Sequence, residues 1–401
     1  MIVAVTLIIL FCLIVIPLLQ MVATTFTVAK SELPRIRRSN PAAEVGSFTL
    51  YYWKYLMTGK LAAATLWGPL KNSLVCGFFT VLISVPLGAV LAWLIVRSDL
   101  PGKKLIGMLV VIPYMIPSWC KSMCWLAIFR NKTSGSLGFL EGLGLSIPDW
   151  LAYGPIAIVL CMSLHYYAFS YIQVSSALRS INSELEEMGE ICGAGKVQIL
   201  KSITLPLVLP SILSAVVMTL SKSIGTYGVA ANLGSRIGYF TLATKMKQFI
   251  NGGPQSVGFA MSIILICLAA FIIFSNQRLV GVRKSYATIG GKGGRSNEME
   301  LGGAKIPLMG FIVIFLFFAM VAPMFVLVME TFQVTTGAGY GLKNLTTYYW
   351  VGTTENAPVY INYNGVLQNP EFGKAFWNTI RLTAIGSTIT ALCGQFLGYV
   401  A

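Results

Sequence analysis

Eight long apolar runs dominate this sequence and constrain its fold more than any other feature. They lie at about 2–26, 69–96, 105–128, 154–175, 206–229, 256–277, 307–330 and 376–401. About 20 apolar helical residues cross the ~30 Å hydrocarbon core of a bilayer, and the interior of every run lacks Asp and Glu. Only 11% of the residues are charged, whereas soluble domains carry roughly 25%. A soluble fold is therefore excluded, and we expect an all-α, polytopic transmembrane helical bundle.

The net charge of +15 comes mainly from Lys and Arg in the connections between the runs. In a soluble protein this charge would suggest a nucleic-acid surface. Membrane orientation explains it better here, because cytoplasmic loops are enriched in Lys and Arg. With the N-terminus inside, the inner loops at about 97–104, 176–205 and 278–306 hold twelve of the 29 basic residues. We predict a multi-pass plasma-membrane protein with a cytoplasmic N-terminus and no nucleic-acid partner.

The beginning of the chain recurs near its end. Pro17 recurs as Pro323 and Gly88 as Gly394, both at an offset of 306 residues. Further matches are Thr25-Phe26 with Thr331-Phe332, Asn72-Ser73 with Asn378-Thr379 and, at an offset of 297, Tyr51-Tyr52-Trp53 with Tyr348-Tyr349-Trp350. We interpret 1–277 as a six-helix repeat, 278–306 as a Gly-rich, charged cytoplasmic linker, and 307–401 as the first two helices of a second, parallel repeat that is truncated.

The connection after the fourth run, at about 184–206, carries the most specific pattern, and we call it the coupling loop. It closely resembles the EAA loop of ATP-binding-cassette (ABC) importer permeases, in which Glu and two Ala precede a Gly and a closing Ile-x-Leu-Pro. The matching segment contains Glu187, Gly193, Ala194, Ile203, Leu205 and Pro206. Met188 and Gly189 replace the two alanines.

Physical chemistry suggests how such a loop could work. We expect a short amphipathic helix that seats in a cleft of a partner, with Gly193 allowing the backbone to turn. Pro206 suits the first turn of the next helix. Four carboxylates are expected to make charge-assisted contacts to a basic rim of the partner: Glu184, Glu186, Glu187 and Glu190.

The resemblance implies the membrane subunit of an importer in the bacterial cytoplasmic membrane, not an enzyme. It implies two copies of a separate ATPase subunit, which would use the ATP and magnesium, and an external solute-binding protein; no cofactor is expected in this chain. The sequence agrees, because Gly195-Lys196 lacks the other residues of a phosphate-binding P-loop. The tandem arrangement and the linker at 286–293 look most like the fused iron(III)-type permeases. Iron(III) is therefore the favoured solute, with polyamine, thiamine and phosphonate as alternatives.

Polar side chains inside the membrane are costly, so they are candidates for a solute pathway. The candidates are His165, Ser221, Lys222, Thr226 and Tyr227. Two alternatives remain open: Lys222 could extend to the headgroups, and His165 could be a hydrogen-bonded interhelical residue. We interpret Lys121 as an anchor that reaches the outer headgroups.

Two other function classes fit less well. An ion-coupled secondary transporter usually places Asp, Glu or His inside the membrane to carry protons or cations, and the runs lack carboxylates in their interiors. A membrane-embedded enzyme would need a cluster of His, Cys or carboxylates. Seven of the eight cysteines lie in apolar runs, where free Cys behaves as a small hydrophobe, and no metal site is predicted.

Overall fold

The computed structural model describes residues 11–181, 184–281, 299–339, 341–356 and 363–400. Within these ranges the regular secondary structure is helical, and β pairing is limited to isolated bridges. This composition confirms the all-α prediction. The first ten residues and most of the predicted linker at 278–306 lie outside the described residues. The chain splits into two compact units, Leu50–Leu327 and a smaller unit of Met1–Thr49 with Val328–Ala401.

The main helices are numbered in chain order. They are α1 (Ile16–Thr24), α2 (Gly68–Arg97), α3 (Lys103–Met115), α4 (Ser118–Phe129), α5 (Gly154–Ser180), α6 (Glu184–Ile191), α7 (Leu205–Gly225), α8 (Gly228–Gly234), α9 (Leu242–Gly252), α10 (Gln255–Gly281), α11 (Lys305–Leu316), α12 (Ala322–Glu330) and α13 (Pro370–Val400).

Among the described residues, five helical segments are long and apolar enough to cross a membrane, against eight predicted runs. They are Ala63–Arg97, Gly154–Ser180, Lys196–Gly225, Gln255–Ser275 and Gly302–Glu330. The pair α3 and α4 passes the same test as one bent span. The first run is described only from Phe11, as a shorter apolar helix to Thr24. The last run forms the 31-residue helix α13, in which Arg381 and many hydroxyl side chains dilute the apolar content.

The third predicted run is not one straight helix. It consists of α3 and α4, which are bent by 92° relative to each other. Ile116 has extended dihedrals, φ −75° and ψ 126°, as expected for a residue that precedes a proline, here Pro117. The continuous helix predicted over 105–128 is therefore wrong at this position.

The fifth predicted run, 206–229, is also interrupted. Helix α7 ends at Gly225, Thr226 is extended with φ −72° and ψ 122°, and a separate helix α8 begins at Gly228. Two glycines within four residues disfavour a continuous helix here, because glycine is among the poorest helix formers.

Helix α5 is the central helix of the larger unit, since 67% of its most apolar stretch is buried. It packs against α2, α3 and α7. The main apolar core joins these helices through buried side chains such as Leu91 and Ile95 of α2, Val110 of α3, and Tyr167 and Val174 of α5. This core holds α5 and its flanking loops in a fixed position relative to α2.

Two stretches 306 residues apart have the same local structure. A π turn at Phe11–Val15 precedes α1, and a π turn at Phe317–Val321 precedes α12, so every boundary is shifted by 306. After each helix the chain forms one antiparallel bridge, Thr27 with Phe48 and Gln333 with Leu345. The offsets of these bridged residues, 306 and 297, equal those of the sequence matches.

Candidate functional site

The coupling loop contains the short helix α6 and a sharp turn after it. Gly193 has φ +83°, in the left-handed region that glycine adopts without strain. Its N–H donates to the carbonyl of Glu190 (2.9 Å), and the N–H of Ala194 donates to the carbonyl of Gly189 (3.0 Å). These bonds form a Schellman motif with Gly193 at its C′ position. A Cβ at Gly193 would meet no atom within 4 Å. The left-handed backbone conformation, and not lack of space, is therefore the reason that glycine is favoured here.

Gly189 occupies the position of the second alanine of the EAA pattern. A Cβ on Gly189 would lie 3.0 Å from Ile203 Cδ1 and 3.2 Å from Ile199 Cγ1. These separations are tight for carbon atoms, so the smallest residue fits best. Ile203 therefore packs beneath α6, while Leu205 and Pro206 form the first turn of α7.

Glu186 is buried, contrary to the prediction that it faces a partner. It is 9% exposed, its Oε2 lies 3.5 Å from Nη1 of Arg97 at the end of α2, and its Oε1 accepts a hydrogen bond from Thr204 (2.6 Å). Arg97 is 4% exposed and also donates to the carbonyls of Leu178 (3.1 Å) and Ile181 (3.2 Å). The pair therefore ties α6 to the ends of α2 and α5 and to the entry of α7.

The solvent-facing side of the coupling loop is largely apolar. Leu185, Met188, Ile191 and Val197 are between 46% and 79% exposed. Glu187 is half-buried, whereas Glu184 and Glu190 are exposed. The predicted amphipathic helix implied an apolar side, but only the carboxylates were named as contacts; the i, i+3, i+6 spacing of Leu185, Met188 and Ile191 could have identified its residues.

The two interrupted runs meet in the larger unit. Asn232 of α8 donates to Ser122 of α4 (2.7 Å). A Cβ on Gly228 would lie 2.5 Å from Cβ of Trp119, so glycine permits this close approach of α8 to α4. Interrupted helices inside a membrane are tolerated where their ends are buried in protein or line a cavity.

Polar and aromatic side chains gather where α3 and α7 end. Lys222 Nζ lies 3.5 Å from the hydroxyl of Tyr114 and 5.1 Å from the ring centroid of Phe169. The Thr226 hydroxyl lies 2.7 Å from that of Tyr166 and donates to the carbonyl of Lys222 (2.9 Å). With His165 these residues form what we call the break site: Tyr114, His165, Tyr166, Phe169, Lys222 and Thr226.

His165 lies between the aromatic rings of the break site. Its ring stacks on Tyr114 with centroids 5.1 Å apart and meets Tyr166 edge-on at 5.0 Å. It is 9% exposed, and its Nδ1 has no hydrogen-bond partner within the described part of the chain. The interhelical hydrogen bond considered for His165 is therefore not observed at Nδ1.

The structure corrects the interpretation of Lys121 as a headgroup anchor. Lys121 is 8% exposed, and its Nζ donates to the carbonyl of Leu164 (2.8 Å), next to His165. The side chain is buried because α4, after the bend, packs against α5 and α8. Among the described residues neither Lys121 nor Lys222 forms an ion pair with a carboxylate.

The structure brings together three of the five predicted pathway residues: His165, Lys222 and Thr226. Ser221 is half-buried on α7, and Tyr227 is 46% exposed after the interruption; neither takes part in the contacts of the break site. Tyr114, Tyr166 and Phe169 were missed. The sequence signal that could have found them is Pro117, because a break at Pro117 leaves Tyr114 at a helix end.

Comparison with known proteins gives consistent results. Residues 84–283 match the protein family described as "Binding-protein-dependent transport system inner membrane component". The molybdenum transport system permease protein ModB of Escherichia coli (strain K12) is 27% identical over 228 residues, which cover 55% of this chain and 96% of that protein. The sulfate transport system permease protein CysT of Salmonella typhimurium is 22% identical over 223 residues, covering 55% and 76%.

A solved structure has a similar fold. The bacterial ABC transporter for import of the acidic polysaccharide alginate matches with a TM-score of 0.51 and 17% identity, covering 70% of this chain and 93% of that chain. The relatives named above are permeases for molybdenum and sulfate, so the iron(III) solute favoured from the sequence is not supported.

The matched span includes α5, the coupling loop and both interrupted helices, where the geometry described above lies. The chain therefore belongs to the family of binding-protein-dependent transport system inner membrane components, and it is a multi-pass inner-membrane permease subunit of an ABC importer.

Proposed function

We propose that this permease carries a tetrahedral oxyanion of the molybdate and sulfate class, and that the break site contacts it. The observation that carries the proposal is Lys222, a cation at a helix break that has a hydroxyl and an aromatic ring beside it and no carboxylate among the described residues. The names of the relatives support the same solute class.

The electrostatics favour an anion over a cation. An uncompensated charge inside a bilayer is costly, and a lysine without a carboxylate can lower this cost for a passing anion. The Tyr114 hydroxyl, which accepts from Lys222 Nζ, can donate its own proton to an oxygen of the anion. Lys121, buried one helix away, adds a second positive charge near His165. A polyamine would meet repulsion at both lysines, whereas a phosphonate presents a similar tetrahedral oxyanion and remains an alternative.

We propose that two ATPase subunits supply the energy and that a solute-binding protein delivers the oxyanion from outside. One ATPase subunit would dock on the apolar side of α6, around Leu185, Met188 and Ile191, with Glu187 at the rim. The Gly193 turn would fix the angle at which α6 protrudes. Closure of the ATPase subunits would then move the coupling loop and, through Ile203 and Pro206, helix α7 and its break site, which gives alternating access.

Uptake of radiolabelled sulfate and molybdate by cells that express the complete transporter tests the solute assignment. We expect Lys222→Gln to reduce uptake at least about tenfold, because a charge-assisted contact is worth roughly 1.5–3 kcal/mol, and Lys222→Arg to retain a measurable part. Lys247→Gln, an exposed lysine on α9, is the matched control and should transport normally. The proposal would be refuted if the wild type took up neither sulfate nor molybdate, or if Lys222→Gln took them up normally.

A further inference from the structure

The last part of the predicted linker at 278–306 is tied to the loop between α2 and α3. We call residues 299–305 the tether. The N–H of Met299 donates to the carbonyl of Arg97 (2.9 Å), and the N–H of Asp99 donates to the carbonyl of Met299 (3.2 Å). These bonds make a parallel bridge between Ser98 and Met299. The tether is therefore joined to the loop by one isolated parallel β-bridge.

Asp99 fixes the other end of the tether. Its Oδ1 accepts from the N–H of Leu301 (3.0 Å), and its Oδ2 lies 2.7 Å from Nζ of Lys305, the first residue of α11. The Lys305 ammonium and the Leu301 N–H hold the pKa of Asp99 below its usual range. The carboxylate is thus charged at neutral pH and holds both the tether and the start of α11.

Arg97 belongs to two networks at once. Its carbonyl holds Met299 of the tether, and its guanidinium holds Glu186 of α6. A cavity of about 300 Å³ separates the tether from the coupling loop, and the one direct polar contact across it in the described chain is a long one, from Lys196 Nζ to the carbonyl of Glu300 (3.5 Å). Rigid connection between α6 and α11 therefore runs through Arg97 and Asp99.

We propose that Arg97 and Asp99 are positioning residues that pass a displacement of α6 to α11, the helix with which the second repeat begins. This inference rests on the proposed function, because it concerns how ATPase-driven movement spreads. A movement of α6 pulls on Arg97 through Glu186, and the backbone from Arg97 to Asp99 transfers it to Leu301 and Lys305. One ATPase contact then moves parts of both repeats together.

A graded set of variants in the reconstituted complete transporter tests this connection. Asp99→Ala removes two contacts to the tether, Lys305→Ala removes one, and Lys104→Ala, an exposed neighbour, is the matched control. The readout is ATP hydrolysed per radiolabelled sulfate or molybdate transported, with ATPase-subunit co-purification as a check on folding. Coupling free energies typically correspond to factors of about 5–150, so we expect the ratio to rise about fivefold in Asp99→Ala, less in Lys305→Ala, and not in the control.

Covalent repair separates positioning from a general loss of structure. Paired strand residues lie within the Cα separation that a disulfide spans, so Ser98→Cys with Met299→Cys can reconnect the tether in the Asp99→Ala background. Oxidation should restore the wild-type ratio, and reduction should abolish the repair in the same sample. Oxidised wild type controls for the eight native cysteines. No rescue on oxidation, or an unchanged ratio in Asp99→Ala, would overturn the inference.

The two proposals fail in different ways. If wild type transports neither anion but its ATPase activity is stimulated by the binding protein, the solute assignment is wrong. That stimulation then replaces the transport ratio as the readout for the tether. We expect Asp99→Ala to lose this stimulation while retaining the ATPase subunit, and stimulation equal to wild type would refute the positioning role.

Discussion

Arg97 is a buried cation at the end of α2, whereas Lys222 near the end of α7 is an exposed one, and their surroundings differ. Arg97 has the carboxylate of Glu186 at 3.5 Å and two backbone carbonyls at 3.1 and 3.2 Å. Lys222 has a tyrosine hydroxyl at 3.5 Å and an aromatic ring. Lys305, which pairs with Asp99 at 2.7 Å but is partly exposed, lies between these extremes.

The difference separates cations that hold the structure together from those available to a solute. A buried charge with a carboxylate partner is neutralised within the protein, and removal of one partner leaves the other uncompensated. A lysine that has only hydroxyl and aromatic neighbours can still gain from an anion. We therefore expect the free energy of unfolding to depend more on Arg97 and recognition of the solute to depend more on Lys222.

The largest expected effect on the free energy of unfolding follows from removal of the Arg97 guanidinium. Arg97→Gln leaves Glu186 buried without its cation, so we expect the unfolding free energy to fall by about 3–5 kcal/mol. Denaturant unfolding of the purified protein in detergent measures this. The double variant Arg97→Met with Glu186→Leu should lose less than Arg97→Gln alone, because no buried charge remains unpaired. A double variant that is less stable than the single variant would contradict this account of the pair.

A smaller effect is expected at Asp99. Its pKa is lowered in the folded protein from the usual 3.8, so its pairing stabilises the protein above that pH and is lost as the pH falls through the lowered value. Wild type should therefore lose stability more steeply than Asp99→Asn below about pH 4. Melting temperatures measured from pH 3 to pH 7 give the difference between the two, and parallel curves would show that the ion pair adds no stability.

The smallest effect on stability is expected for Lys222. Lys222→Gln removes no ion pair among the described residues, so its unfolding free energy should remain within about 0.5 kcal/mol of wild type, while its uptake of the oxyanion falls. The same denaturant series measures both variants side by side. A destabilisation as large as that of Arg97→Gln would make Lys222 a structural residue and end the contrast.

Much of the fold could be predicted because it follows from local sequence. Apolar runs gave the positions of the long helices, and Gly193 gave the turn after α6. The bend at Ile116 was also readable, since a residue before proline disfavours the helical conformation. The prediction ignored this local rule because the apolar run continued beyond Pro117.

The candidate site was harder to predict because it depends on contacts between distant residues. Glu186 and Arg97 are far apart in sequence, so no pattern within the coupling loop distinguishes the buried carboxylate from Glu187 beside it. The burial of Lys121 likewise depends on how α4 packs after the bend. In contrast, the spacing of Leu185, Met188 and Ile191 is local information. It could have identified the apolar side of the predicted amphipathic helix, for which only the carboxylates were named.

The π turns before α1 and α12 have a further consequence for the predicted repeat. Successive residues of an α-helix are rotated by about 100°, so deletion of one residue within Phe11–Val15 would rotate α1 by roughly that angle relative to the remaining residues of the turn. Since the turn is present at the same place in both stretches, the side chains of α1 and α12 have the same angular phase relative to the turn that precedes them. A one-residue deletion in one of the two stretches would thus leave two otherwise matching helices presenting different faces to their surroundings.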